Sequence, residues 1–124
     1  MTARILLVED NEVNRYLVRF VLEKAGFVVD TAVDGTVALE AARARRPDLI
    51  LMDLRMPVLD GYETTRRLKA DPALRDIPVA ALSAQAMPQE KAHAFQVGCI
   101  AHIEKPIDVQ RFPEQVRSLL PARY

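Results

Sequence analysis

The sequence predicts an α/β fold, a doubly wound five-stranded parallel sheet with about five helices, and three observations carry that expectation. Five short apolar runs recur along the 124 residues, at 5–8, 27–29, 49–52, 79–82 and 99–103, and each is strand-sized. The first, third and fourth are almost continuously apolar rather than alternating, as befits parallel strands covered on both faces. Helical patterns separate the runs, so strand and helix alternate five times, and right-handed crossovers then make a doubly wound sheet the economical arrangement.

The elements follow in order. After the first run, Val13, Leu17, Phe20, Val21 and Lys24 form a stripe at three-and-four spacing that ends at Gly26, a C-terminal stop. The run at 27–29 is the second strand. Asp34 is a good N-cap for a second helix that continues through Val37, Ala38, Leu39, Ala41 and Ala42 until Pro47. The third strand, 49–52, is followed by a helix over 62–70, at whose start Gly61 supplies a backbone shape. Met56 and Pro57 shape the loop between them. After the fourth strand, Met87 and Pro88 read as loop and helix start, and a helix over 89–97 stops before Gly98. The fifth run precedes a last helix over 109–120. No repeat, low-complexity tract or linker interrupts this series, which predicts one domain over 1–124 with no output domain attached.

Composition narrows the function. Lys plus Arg total 17 and Asp plus Glu total 17, so the net charge of +0 offers no overall field for nucleic acid or an anionic membrane. Half the chain is apolar, enough for a core without staples. Cys99 is the single cysteine, and no Cys or His cluster has zinc-ligand spacing, which suits a reducing, cytoplasmic setting. The N-terminal apolar run is short and acids follow it at once, unlike a signal peptide or a membrane span.

In doubly wound folds, sites form at the carboxyl ends of strands. Those ends read Glu9 and Asp10 after the first run, Asp53 after the third, Ser83 after the fourth and Lys105 after the fifth. Carboxylates held together raise one another's pKa unless a cation sits between them. Oxygen-only ligands favour a hard ion, and few protein ligands with room for water favour magnesium over calcium, whose D-x-D-x-D-G loop is absent. Lys105 adds a positive charge and Ser83 a hydroxyl donor, so the same edge suits a many-oxygen anion such as phosphate.

Four fragments, VEDN at 8–11, MDLRMPVLDG at 52–61, LSA at 82–84 and EKP at 104–106, together resemble the receiver domain of bacterial response regulators, a CheY-like superfamily with a (βα)5 flavodoxin-like fold. The resemblance covers essentially the whole chain, and is to stand-alone receivers of the DivK kind, though the fragments would also suit the receiver of a hybrid histidine kinase. It implies that Asp53 accepts a phosphoryl group from a sensor histidine kinase or a histidine phosphotransfer protein. Asp10, Asp53 and the backbone carbonyl of Arg55 would bind Mg2+, with Mn2+ as a substitute, and Glu9 would act mainly through a metal-bound water. Ser83 and Lys105 would each contact a phosphoryl oxygen, and Pro106 would follow a cis peptide.

Such a protein is a two-component or phosphorelay switch rather than a classical enzyme, although it helps catalyse its own phosphorylation. An acyl phosphate adds charge that reshapes the face of the last helices and strand, where a downstream protein would read it. Receivers often carry an aromatic residue three positions before the inward lysine; this sequence has His102 there, with a switch role or a merely half-exposed strand histidine as its two readings. Arg55 and Gln85, two residues beyond the acceptor and the hydroxyl, are expected to tune the lifetime of the acyl phosphate.

Three rivals share parts of this pattern. A flavodoxin-type cofactor binder would offer hydroxyls and amides in its first loop, where EDNEVN offers carboxylates. A haloacid-dehalogenase-like hydrolase expects D-x-D, which Asp53-Leu54-Arg55 lacks. A pseudo-receiver scaffold, never phosphorylated, is the remaining alternative, and it tends to lose an acid or the lysine.

Overall fold

The computed structural model describes residues 2–56, 59–84 and 87–121. Five strands, β1 (Arg4–Val8), β2 (Val28–Ala32), β3 (Leu49–Asp53), β4 (Val79–Ala84) and β5 (Ala101–Lys105), alternate with α1 (Glu12–Lys24), α2 (Gly35–Ala44), α3 (Gly61–Ala70), α4 (Pro88–Val97) and α5 (Phe112–Leu119). All pairings are parallel, in the order β2-β1-β3-β4-β5. The order reverses between β1 and β3, and a crevice opens at the carboxyl ends of strands at such a switch point.

Side-chain alternation divides the core into two layers. Leu6, Val8, Ile50, Met52 and Ala81 face α2, α3 and α4, packing on Leu39, Leu68 and Ala94. Ile5, Leu7, Leu49, Leu51 and Leu82 face α1 and α5, packing on Leu22, Phe112 and Val116. Strands buried on both faces cannot alternate apolar with polar residues, which is why β1, β3 and β4 read as continuous apolar runs.

The edge strands lie further along the chain than the sequence predicts. β2 begins and ends later than 27–29, and β5 later than 99–103, because an edge strand admits polar residues: Asp30 and Thr31 in β2, His102 and Glu104 in β5. Phe27 and Cys99 are buried just ahead of the strands.

Helix starts follow side-chain capping. Asn11, Asp34 and Asp60 each accept from the backbone N–H three residues on, at 2.9, 2.9 and 2.8 Å. The helix expected over 109–120 begins instead at Phe112. Asp108 Oδ1 accepts from the N–H groups of Gln110 and Arg111, holding a turn, and Pro113, with no N–H to give, fits only in the first helical turn. Gly26 has φ 101° and Gly98 φ 117°, left-handed stops at the ends of α1 and α4.

The stripe assigned to α1 also needs correction. Val18, Val21 and Leu22 face the core, whereas Val13, Leu17 and Phe20 are exposed. The helix carries a second apolar face directed at solvent, with Tyr16 stacked on Phe20.

Candidate functional site: an acidic cluster with one lysine

Register assembles the site. Val8 lies beside Met52 in the β1–β3 pair, so the next residues, Glu9 and Asp53, emerge side by side. Asp53 in turn lies beside Leu82, one residue before Ser83, and Ala84 beside Lys105. Carboxylate oxygens of Glu9, Asp10 and Asp53 all lie within 4.8 Å of one another. The Lys105 ammonium donates to Glu9 Oε1 at 2.5 Å and stands 3.5 Å from Asp53 Oδ2.

Each acid has a distinct setting. Glu9 is fully buried; its second oxygen accepts from the Asn11 N–H at 3.3 Å, and its own N–H donates to Ala32. Asp10 is exposed, and Arg15 reaches back from α1 to the carbonyls of Glu9 and Asp10 at 3.0 and 3.4 Å. Asp53, 4% exposed, accepts from the Arg55 N–H at 3.1 Å. Burial raises its carboxyl pKa to about 7, with the hydrogen-bonded Glu9 carboxyl adding to the rise while the Arg55 N–H and Lys105 oppose it.

Close backbone approach holds the loop that follows Asp53. The Gly61 N–H donates to the Leu54 carbonyl at 3.2 Å. A Cβ on Gly61 would overlap the Asp53 carbonyl oxygen and lie 2.7 Å from Leu54 Cα. The role expected for Gly61 is therefore sharper: its φ is ordinary, and what matters is the missing Cβ. The Lys105–Pro106 peptide is cis.

Sequence reasoning missed several connections. Ser83 is buried, and its Oγ lies 2.7 Å from His102 Nε2. The Arg55 guanidinium pairs with Glu90 in the first turn of α4 at 3.0 Å, and Tyr62 stacks on His93 with ring centroids 4.1 Å apart. No linear spacing signals these pairs; the β4–β5 register and the packing of α3 and of the loop before it on α4 create them. Gln85 and Pro57 lie outside the described residues.

The donor set suits a hard dication. Three carboxylates of which one is exposed leave room for water ligands, and a bound cation would offset the burial, and after it the neighbouring Glu9, that hold the Asp53 carboxyl in its protonated form.

A parallel β2-β1-β3-β4-β5 sheet with this acidic cluster places the chain in a known class. The response regulator receiver domain model matches residues 5–117, and the chain belongs to that family. It is 45% identical over 120 residues to the polar-differentiation response regulator DivK of Brucella ovis, covering 97% of this chain and 98% of that one. Among solved structures, the Vibrio cholerae chemotaxis protein CheY4 superposes with a TM-score of 0.92 at 29% identity, over 97% of this chain and all of that one. The receiver domain of a sensor histidine kinase from Pseudomonas aeruginosa PAO1, solved with a magnesium ion coordinated in the active site cleft, gives 0.87 at 35% identity, over 96% and 98%.

Receiver domains are signalling modules of two-component systems rather than classical enzymes, and the family binds Mg2+ at an acidic pocket. They interact with histidine kinases or phosphotransfer proteins and with downstream targets. Among the described residues, no helix is long and apolar enough to cross a membrane.

Proposed function

We propose that this chain is a cytoplasmic phospho-acceptor switch, one domain in which Asp53 takes a phosphoryl group from a phosphohistidine of a sensor kinase or phosphotransfer protein. The observation that carries the reading is the cluster itself: a buried carboxylate with two further acids and a lysine, at the carboxyl ends of β1, β3 and β5. An Asp53 carboxylate oxygen forms the new bond to phosphorus as the P–N bond breaks, and the leaving imidazole nitrogen takes a proton.

Mg2+ supplies neutralisation of charge on the transferring oxygens. Asp10, Asp53 and the Arg55 carbonyl are the groups to hold it, with Glu9 behind them. Lys105, now on Glu9, would swing to a phosphoryl oxygen, and Ser83 would donate to another. Arg55 and Gln85 would set how water reaches the product. Readout would follow through α4, β5 and α5, with His102 lying where β5 meets Ser83.

The donor must present its phosphohistidine over the crevice. Beside Lys105, Asn14, Leu17, Val18, Pro106 and Ile107 line a cavity, continuous with the exposed face of α1. An apolar strip next to a buried acceptor suits a helix carrying the phosphohistidine. No basic field recommends nucleic acid as a partner.

Incubation with a small phosphodonor and Mg2+, followed by intact mass, tests this reading. One phosphoryl adduct, lost in Asp53→Asn, is expected. Absence of an adduct in the unaltered chain would favour the scaffold reading.

A further inference from the structure

Ser83 and His102 are each other's hydrogen-bond partners, at 2.7 Å, with Ser83 2% exposed. A hydroxyl has a single hydrogen to donate, whereas imidazole Nε2 either accepts or donates according to its protonation. If Nε2 is bare, the Ser83 hydrogen is committed to the ring. If Nε2 carries a proton, the ring donates to Ser83 Oγ and the hydroxyl hydrogen is free to point elsewhere.

We propose that His102 is a positioning residue for phosphoryl acceptance: its protonation state sets the direction of the Ser83 hydroxyl, which donates to an incoming phosphoryl oxygen only when Nε2 bears hydrogen. The inference rests on the assignment of Ser83 as a phosphoryl contact, and it makes acceptance depend on pH in the histidine range.

The surroundings fit such a device. His102 and Ser83 lie on the α4 side of the sheet, across the β4–β5 pair. Around the ring stand Glu90 and Lys91 of α4 and Glu104 of β5; Lys91 and Glu104 pair with each other at 3.3 Å. Asp108, Arg111 and Gln115 line the other wall of the cleft into which His102 opens. Burial first, and Lys91 second, hold the ring below its ordinary pKa, against the opposing pull of Glu104 and Glu90. That direction favours the neutral ring, which keeps the hydroxyl engaged when its hydrogen sits on Nδ1 and Nε2 is bare. An anionic phosphoryl group near Ser83 favours the charged ring, so acceptance and ring protonation reinforce one another.

The test compares acceptance rates from a small phosphodonor with Mg2+ in the unaltered chain and His102→Gln, at one pH well above and one well below the His102 pKa located by NMR in the unaltered chain. Glutamine keeps a hydrogen-bonding side chain but does not titrate, and the ratio between the two proteins cancels the pH response of donor and acceptor. The ratio should rise about tenfold on acidification, the size of one hydrogen bond to a charged group, and stay level when both proteins also carry Ser83→Ala. The His102 imidazole pKa, followed by NMR without phosphodonor, should shift in Ser83→Ala. A level ratio, or a rise that survives Ser83→Ala, overturns the inference alone. Absence of any adduct at either pH overturns the acceptor reading and this inference with it.

Discussion

The Lys105 ammonium sits 2.5 Å from Glu9 Oε1, closer than to the Asp53 carboxylate at 3.5 Å. Glu9 thus holds the ammonium beside Asp53, and the pair is almost wholly buried, with Glu9 1% and Lys105 17% exposed at the side chain. Removing one partner of such a pair strands the other charge in a poor solvent. Lys105→Ala should cost about 2 kcal/mol of stability without metal, the full burial penalty being softened by the lysine's partial exposure. Added Mg2+ should recover part of that loss. Urea denaturation with and without Mg2+ checks both statements; an unchanged midpoint in the metal-free protein would contradict them.

The Asp53 carboxyl makes metal-free stability depend on pH. Its folded pKa of about 7 lies above the ordinary 3.8, so between those values the folded state keeps a proton that the unfolded chain has lost. Stability is therefore fullest below about pH 3.8 as far as this group is concerned, and is lost as pH rises through about 7. The loss should be on the order of 2 kcal/mol after allowing for solvent screening, and absent in Asp53→Asn. Mg2+ should stabilise the protein more at pH 8 than at pH 5, because only the ionised site binds it well. Melting curves across pH, with and without the ion, report this directly.

Gly61→Ala should disturb the acceptor without touching its chemistry. The added methyl meets backbone, the Asp53 carbonyl and Leu54 Cα, and backbone cannot yield as a flexible side chain would. A cost of about 3 kcal/mol is expected, from overpacking at a tight site. Mg2+ affinity, measured by calorimetry, should fall as well, whereas a wild-type affinity would show that the loop tolerates the displacement.

The Arg55–Glu90 pair ties the acceptor loop to α4, but its arginine is 66% exposed, so little stability is at stake. Its effect is expected on acyl phosphate lifetime instead. Arg55→Ala should alter the dephosphorylation rate with scarcely any change in melting temperature; an unchanged rate would remove Arg55 from the tuning role.

The sheet was legible in the sequence wherever burial on both faces left no room for polar residues, as at Leu49, Ile50, Leu51 and Met52. It blurred at the edges, where Asp30, Thr31 and Glu104 lie within strands. On α1, periodicity located an apolar stripe but not which stripe faces inward, since Leu17 and Phe20 stand beside Val18 and Val21 and only packing separates them. The acidic residues could be listed from strand ends alone, because parallel topology brings all such ends to one edge. Their partners could not. The bond between Ser83 and His102 follows from the β4–β5 register, and the contact of Lys105 with Glu9 spans 96 positions of chain.

The central claim is that Asp53 itself carries the phosphoryl group. Phosphorylation with a small donor and Mg2+, borohydride reduction and peptide mass spectrometry locate an aspartyl phosphate, because reduction converts that residue to homoserine. The account predicts homoserine at position 53 and nowhere else, with Glu9 and Asp10 unmodified. Label on another residue, or on none while Mg2+ binds normally, would contradict it.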